Sequence, residues 1–447
     1  MAVFALVDAN SFYASCEISF RPDLAKRPVV VLSNNDGCIV AANQIAKDLV
    51  KHHARDYGQG GYASAKPTSM MFQPYFKVAD LLTRYNTAVF SSNYELYGDM
   101  SARMHRMLGE YAAGQEIYSI DESFLDLSGM TAWNLTDYAQ LIRSKIKQGL
   151  GLPVAVGIGA SKTLAKLANH LAKKQVQFDG VLDLTALSAP TQAALLRQVP
   201  IEDVWGVGRR MAPKLQALNI HNAYDLQQAN PKPLRRHFSV VMERLIAELN
   251  GESCLSLEAV APAKQQIIRS RSFGQPVVEF DWLAQAVASY TARAAEKLRQ
   301  QGSVCQHIHV HLRTNPYDSK QPYYANSHGM GLVYPSDNSQ LLIKLAKRLL
   351  KRVWQPGLAY HKAAVTLSAI SNKGPLQLDV FAPEPKFSAN PKSDALMTTL
   401  DAINQKMGRG SIQFAAEGLA NKAQWAMRRA HCSPRYTTRI DEVLVVN

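Results

Sequence analysis

Residues 3–7 (Val-Phe-Ala-Leu-Val) form an unbroken apolar run that stops at Asp8. A short run without alternation predicts a strand covered on both faces. Residues 28–32 form a second run, ending in the turn-like Ser33-Asn34-Asn35-Asp36-Gly37. Apolar stretches at 117–120 and 124–127 flank Asp121-Glu122, which predicts a hairpin with acids at its tip. Residues 154–159 predict another buried strand, and residues 162–174 follow with apolar positions at helical spacing. Residues 57–69, rich in Gly, Ser, Tyr and Ala, predict a long loop. This mixture of strands and helices up to about residue 180 predicts an α+β or α/β catalytic domain.

Residues 180–251 turn helical in pattern, with Gly206-Val207-Gly208 as a turn between two helical segments. Residues 261–264 look like a linker. Beyond it, 269–273, 307–313 and 363–370 are strand-like, and 284–299 and 340–353 are helical, which predicts a second α+β domain. After residue 371 the chain is rich in Pro, Gly, Ser and Asn, and that composition predicts partial disorder. There is no internal repeat.

A length of 447 residues predicts about three or four domains, and an apolar share of 47% lets each bury a core. Lys and Arg number 50 against 36 Asp and Glu, a net charge of +14 that favours a polyanionic partner. Nucleic acid is the commonest such partner, although a basic membrane-surface protein would reach the same total. No apolar run reaches the roughly 18 residues a membrane span needs. The N-terminus has neither a basic leader nor a small-residue cleavage site, so no signal peptide is expected. Cys16, Cys38, Cys254, Cys305 and Cys432 are scattered and never spaced as C-x-x-C. They read as reduced thiols of a cytoplasmic protein, neither a disulfide framework nor a zinc site.

Three acids stand out. Alone, each of Asp8, Asp121 and Glu122 reads as a turn or capping carboxylate. Together they suggest more, because carboxylates held about 4 Å apart repel by about 4 kcal/mol per pair at an effective dielectric near 20. Such a cluster needs a cation, and oxygen donors without His or Cys select magnesium. Two such ions suit in-line phosphoryl or nucleotidyl transfer. By contrast, Gly157-Ile158-Gly159-Ala160-Ser161-Lys162-Thr163 only superficially resembles a phosphate-binding P-loop. Ser161 stands where that motif requires Gly, which argues against an ATPase.

Asp8-Ala9-Asn10-Ser11-Phe12-Tyr13 and Tyr118-Ser119-Ile120-Asp121-Glu122-Ser123-Phe124 resemble the two palm motifs of Y-family DNA polymerases. The likeness extends through Ser33-Asn34-Asn35-Asp36-Gly37-Cys38-Ile39-Val40, Phe90-Ser91-Ser92-Asn93-Tyr94, Lys162-Thr163-Leu164-Ala165-Lys166 and Arg269-Ser270-Arg271-Ser272-Phe273-Gly274. These motifs, in this order, are similar to the UmuC-like branch of the family.

The resemblance implies roles residue by residue. Asp8, Asp121 and Glu122 fall on the catalytic carboxylates that hold two Mg2+ ions, with the Ala9 carbonyl completing one shell. Tyr13, five residues after Asp8, falls on the steric gate, an aromatic ring that leaves no room for a ribose 2′-hydroxyl. Ala9, Phe12, Lys47 and Lys173 fall on nucleotide-binding positions, the two lysines on triphosphate cations. Gln44 stands one turn before Lys47, where the family commonly carries tyrosine. Cys38 and Val40 correspond to small residues over the nascent base pair. Residues 199–220, with Gly206 and Gly208, resemble a helix-hairpin-helix whose amides bind a DNA phosphate. His307, His309 and His311 alternate along one strand and share a face. They read as outer or DNA-facing imidazoles rather than a metal site. Gln377, Leu378 and Phe381 belong to a peptide similar to sliding-clamp docking motifs. One departure is an insertion after the Lys47 helix, containing His52-His53 and Gly58-Gln59-Gly60-Gly61.

The implied architecture is an α+β right-hand polymerase. Its palm covers 1–12 and 88–180, its fingers 13–87, its helical thumb 181–260 and its little finger 265–371, with a clamp- and partner-binding tail over 372–447. The implied activity is error-prone translesion DNA synthesis in the SOS response, on primer-template DNA with dNTPs. Implied partners are the sliding clamp, a UmuD′-like dimer and a RecA-type recombinase filament, in the cytoplasm. Rival readings are a DNA- and clamp-binding scaffold without polymerase activity, and another palm-type enzyme such as a nucleotide cyclase.

Overall fold

A computed structural model describes residues 2–52, 69–130, 132–258, 262–374, 391–408, 410–418, 423 and 425–442. The chain divides into two compact units: Met1–Ser33, Gly37–Ala261 and His431–Asn447 form the first, Asn34–Asp36 and Pro262–Ala430 the second.

The strands of the first unit are β1 (Phe4–Ala9), β2 (Val29–Leu32), β3 (Ile39–Ala42), β4 (Ala88–Ser91), β5 (Gly114–Ile117), β6 (Glu122–Asp126), β7 (Val154–Gly159) and β8 (Val181–Asp183). Its helices are α1 (Phe12–Phe20), α2 (Gln44–His52), α3 (Tyr75–Arg84), α4 (Tyr94–Leu108), α5 (Leu135–Leu150), α6 (Lys162–Lys174), α7 (Ala189–Arg197), α8 (Ala212–Gln216), α9 (Ala223–Gln228), α10 (Pro231–Phe238) and α11 (Val240–Leu249).

Among the described residues, a five-stranded sheet runs β5-β6-β1-β7-β8. β1 lies antiparallel to both its neighbours at the centre of this sheet, and both its faces are covered, which is why its sequence is an unbroken apolar run. Ala5, Val7 and Ala9 pack with Phe12 and Cys16 of α1, Met100 and Met104 of α4, and Ile142 and Ile146 of α5. Phe4 and Leu6 point the other way, toward Phe124 and Ala165. α6 covers that second face. Its approach is so close that a Cβ on Gly157 would lie 2.0 Å from the Asn169 nitrogen, and one on Gly159 would lie 2.6 Å from Leu164 Cβ. The glycines that mimic a P-loop therefore serve helix-on-strand packing.

A three-stranded sheet, β3-β2-β4, divides its side chains in the same way. Val29 and Val31 join the core of the larger sheet, while Val30 and Leu32 pack with Ala46 of α2 and Val78 and Leu82 of α3. The helices α7 to α11 enclose a core of Leu195, Leu215, Leu226 and Leu249, as the helical pattern after residue 180 predicts, although 181–183 is the strand β8.

The second unit contains β9 (Ile267–Val277), α12 (Phe280–Gln300), β10 (Ser303–Thr314), β11 (Ala325–Ser336), α13 (Ser339–Val353), β12 (Tyr360–Asn372) and α14 (Pro391–Met407). Its antiparallel sheet runs β11-β10-β12-β9, with α12 and α13 on the face that carries Ile308, Val310 and Leu312. The sequence pattern missed β11, whose half-exposed, Gly-containing stretch lacks a clean alternation. Within the stretch after residue 371, whose composition predicts partial disorder, residues 391–407 form α14. Asp401 receives a bidentate pair of hydrogen bonds from Arg299 at 2.6 and 2.8 Å, and Ser393 accepts from Asn338 at 2.6 Å. Composition averaged over the tail hid the helical spacing of Leu396, Met397, Leu400 and Ile403.

Candidate active site

Strand register assembles the acids. Asp8 lies directly opposite Glu122 across the β1–β6 ladder, and the Ala9 amide donates to the Asp121 carbonyl at 2.9 Å. The expected hairpin is present: Ile117 pairs with Ser123, Asp121 sits in the turn, and Glu122 begins β6. Ser119 shapes that turn, donating to the Asp121 carboxylate at 2.6 Å and accepting from the Glu122 amide at 3.1 Å. Alternation puts Asp8 and Glu122 on the sheet face of Leu6 and Phe124, beneath α6.

α6 answers with a row of cations. Lys162, Lys166 and Lys173 are spaced by four and seven residues and so share one side of the helix. Lys166 Nζ lies 3.0 Å from Glu122 Oε2, and Lys173 Nζ lies 2.5 Å from Asp8 Oδ1. Lys162 is buried against Glu116, which in turn lies opposite Phe124. Lys166 also stands 4.3 Å from the centre of the Tyr118 ring, a cation-π geometry that anchors its stem. Burial drives the Asp8 carboxyl up to about 7, with Lys173 pulling the other way and the charge of Glu122 adding to the rise.

Among the described residues, no three acids, histidines or cysteines are gathered as a ready-made metal ligand set. Asp8 and Glu122 are each paired with a lysine instead. The donor chemistry nonetheless fits a hard divalent cation. It consists of carboxylate oxygens, one of them on a desolvated acid facing another acid, and a cation would relieve that strain.

Tyr13 lies at the start of α1, five residues from Asp8. Ser11 takes φ 48°, in the left-handed region, and turns the chain from β1 into α1 within a few residues. The Tyr13 ring stacks on Tyr97 at 4.5 Å and 14°, and meets Tyr94 edge-on at 5.9 Å. Burial, then Tyr94 and Asp121, push its hydroxyl up to about 12, so the ring stays neutral. Phe12 is buried in the core beside it. Lys47 donates to Ser11 Oγ at 3.0 Å, and burial together with Lys173 holds its ammonium below the ordinary lysine range. Two mutually repelling ammonium groups beside the acids form an electrostatic setting that a polyanion would relieve.

The remaining sequence-derived positions are more dispersed. Cys38 and Val40 are half-buried at the start of β3, where the Cys38 amide donates to Ser33 Oγ at 3.0 Å. Gly206 has φ 91°, and the Gly208 carbonyl accepts from the Met211 amide at 2.8 Å ahead of α8. In the second unit, His307, His309 and His311 do share one half-buried face of β10, with the rings of His307 and His309 4.4 Å apart. Gln377, Leu378 and Phe381 lie outside the described residues, as does most of the insertion, residues 53–68. Sequence reasoning overlooked Lys166 and Ser119. The spacing of Lys166 from Lys162 and Lys173 was a readable signal, whereas the role of Ser119 depends on the turn.

Residues 7–56 and 62–170 match the impB/mucB/samB family, and residues 264–380 match that family's C-terminal domain. Residues 191–220 match the IMS family HHH motif, and residues 394–446 match a domain of unknown function (DUF4113). The chain is 46% identical to "Protein UmuC" of Salmonella typhimurium over 446 residues, covering 99% of this chain and 100% of that one. It is 42% identical to "Protein SamB" of Salmonella typhimurium, with 98% of each chain covered. Among solved structures, a Y-family DNA polymerase chimera of Dbh and Dpo4 superposes with a TM-score of 0.60 at 19% identity, over 83% of this chain and 100% of that one. At that identity the likeness concerns the fold.

Proposed function

The chain belongs to the impB/mucB/samB family of UmuC-like Y-family DNA polymerases, and from that premise we propose that it extends primers opposite damaged template bases in an SOS-type response to DNA damage. The observation that carries this reading is the pairing of Asp8 with Glu122 across two strands, with Asp121 on the adjoining turn. Asp8, Asp121, Glu122 and the Ala9 carbonyl would hold two Mg2+ ions, which supply activation of the primer 3′-hydroxyl and charge stabilisation of the leaving pyrophosphate. Ser119 orients the Asp121 carboxylate. Lys173 and Lys47 present ammonium groups to triphosphate oxygens. Tyr13 stands as the steric gate with Phe12 beside it at the nucleotide, and Cys38 and Val40 lie over the nascent base pair.

The domain reading follows the same line. Residues 1–12 and 88–180, which carry four of the five strands of the larger sheet, serve as palm, residues 13–87 as fingers, and 181–260 as a thumb whose Gly206 and Gly208 amides meet a DNA phosphate. Residues 265–371 act as little finger, and 372–447 as a recruitment tail. Gln377, Leu378 and Phe381 dock the sliding clamp, and a UmuD′-like dimer and a RecA-type filament are further partners in the cytoplasm.

Primer extension across an abasic site, with Mg2+, tests the central reading. Asp121→Asn and Glu122→Gln are each expected to lower the extension rate by about 10²–10³-fold, the scale of a lost transition-state charge contact. Primer-template affinity should persist, because phosphate contacts distributed over the protein carry it. Extension near the normal rate in either variant would overturn the metal-ligand assignment.

A further inference from the structure

Behind Tyr13 lies a chain of buried polar contacts that ends in the region of unknown function. Tyr97, fully buried on α4, backs the Tyr13 ring face to face at 4.5 Å. Its hydroxyl donates to Glu17 Oε1 at 2.6 Å. Glu17 is itself fully buried, one helical turn after Tyr13 on α1. Ser433 donates to the same oxygen at 3.0 Å. Ser433 is in turn held by Asn93, whose Nδ2 donates to the Ser433 carbonyl and hydroxyl, each at 3.0 Å, and to the Pro434 carbonyl at 3.2 Å. Asn93 caps α4, accepting from the Leu96 amide at 3.3 Å, one turn before Tyr97. The neighbouring segment is tied down as well: His431 exchanges two hydrogen bonds with Ser91, and Tyr436 stacks on Phe20 at 4.9 Å.

A gate that rejects one hydroxyl group works only if it cannot retreat. Close-packed interiors resist such retreat when the backing group is itself immobile. The Tyr97 ring supplies the backing. Its one polar handle is anchored on a carboxyl, and that carboxyl takes its remaining anchor from Ser433. Burying a carboxyl against two hydroxyls is costly, and a purely structural position would be served by an apolar side chain.

We propose that Ser433 is a positioning residue for sugar selectivity: acting through Glu17 and Tyr97, it holds the Tyr13 ring in place, so that the end of the chain helps set the exclusion of ribonucleotides. This rests on the reading of Tyr13 as the steric gate.

The test uses the full-length chain and single-nucleotide insertion, comparing kcat/KM for a dNTP with that for the matching rNTP. The ratio cancels any loss of folded enzyme. Tyr97→Phe keeps the stacked ring but removes its link to Glu17, and Ser433→Ala removes the far anchor. Each is expected to lower the dNTP-to-rNTP ratio about fivefold, the factor carried by one net hydrogen bond. The double variant should lower it no further than either single change, since both break one path. Ser433→Thr, which keeps the hydroxyl, should restore the ratio. Arg435→Ala loosens the same segment at Glu95 and Glu442, outside the path, and should leave the ratio at the wild-type value. Tyr13→Ala is the reference. If it shifts the ratio while Tyr97→Phe and Ser433→Ala do not, the relay is wrong and the gate stands. If Tyr13→Ala leaves the ratio unchanged, the gate reading fails and the relay falls with it. A shift in Arg435→Ala equal to that in Ser433→Ala would mean general loosening and would overturn the role given to Ser433.

Discussion

Asp8 and Glu17 are both carboxyls that burial pushes up to about 7, yet their surroundings differ in kind. Asp8 faces another acid and a lysine, an arrangement suited to exchanging one cation for another. Glu17 faces the hydroxyls of Tyr97 and Ser433, with Cys16 and Tyr436 as its titratable neighbours, and among the described residues its Oε2 has no hydrogen-bond partner. The folded chain therefore keeps a proton on Glu17 that the unfolded chain releases near the ordinary value of 4.5. By linkage, the stability this group contributes is complete below about 4.5 and is lost as pH rises through about 7. Glu17→Gln cannot titrate. Thermal melts across that window should show a smaller fall in midpoint with rising pH for the variant than for wild type. Equal slopes would mean that Glu17 is ionised throughout.

Among the elements, α6 decides most about the site, because it carries Lys166 and Lys173 over Glu122 and Asp8. Its position depends on β7 lacking side chains where the two touch. A methyl at Gly157 would lie 2.0 Å from one backbone atom of α6 and 2.4 Å from another. Backbone cannot swing aside as a flexible side chain can, so the helix must move. Gly157→Ala is expected to cost about 3 kcal/mol in urea unfolding, at the upper end of overpacking penalties. It should also lower dNTP insertion by more than the folded fraction explains, since the lysines move with the helix. Full activity together with full stability would show that α6 adapts without shifting its lysines.

At the scale of the whole molecule, the residues proposed for chemistry and those proposed for recruitment occupy separate stretches of chain. The acids and their lysines lie in the first unit, while Gln377, Leu378 and Phe381 lie far along the sequence, in a stretch followed by Pro383 and Pro385. On that basis Leu378→Ala combined with Phe381→Ala should abolish stimulation by the sliding clamp and spare basal extension. Two apolar anchors worth about 1.5–3 kcal/mol each when buried are enough to hold, or to lose, a short peptide contact. Clamp-binding and extension assays on the double variant check this, and undiminished stimulation would remove the docking assignment.

The sequence by itself determined the elements whose pattern is local. The apolar run at 3–7 made a central strand, residues 154–159 and 162–174 became β7 and α6 with those bounds, and the histidines of β10 fell on one face. The family motifs around Asp8, Asp121 and Glu122 singled them out in the sequence, and strand register places Asp8 opposite Glu122 with Asp121 in the adjoining turn. Only the tertiary structure decided which charges meet. Asp8 faces Lys173, and Glu122 faces Lys166, because two strand ladders and one helix fix their spacing, and no window of sequence contains all three elements. Averaged composition concealed α14 and the docked residues 431–436, since polar residues look loop-like until their partners are in place. The contact between Ser433 and Glu17 spans nearly the whole chain. A hydrogen bond between groups so far apart in sequence leaves no periodicity to read, and it forms only once folding has buried both.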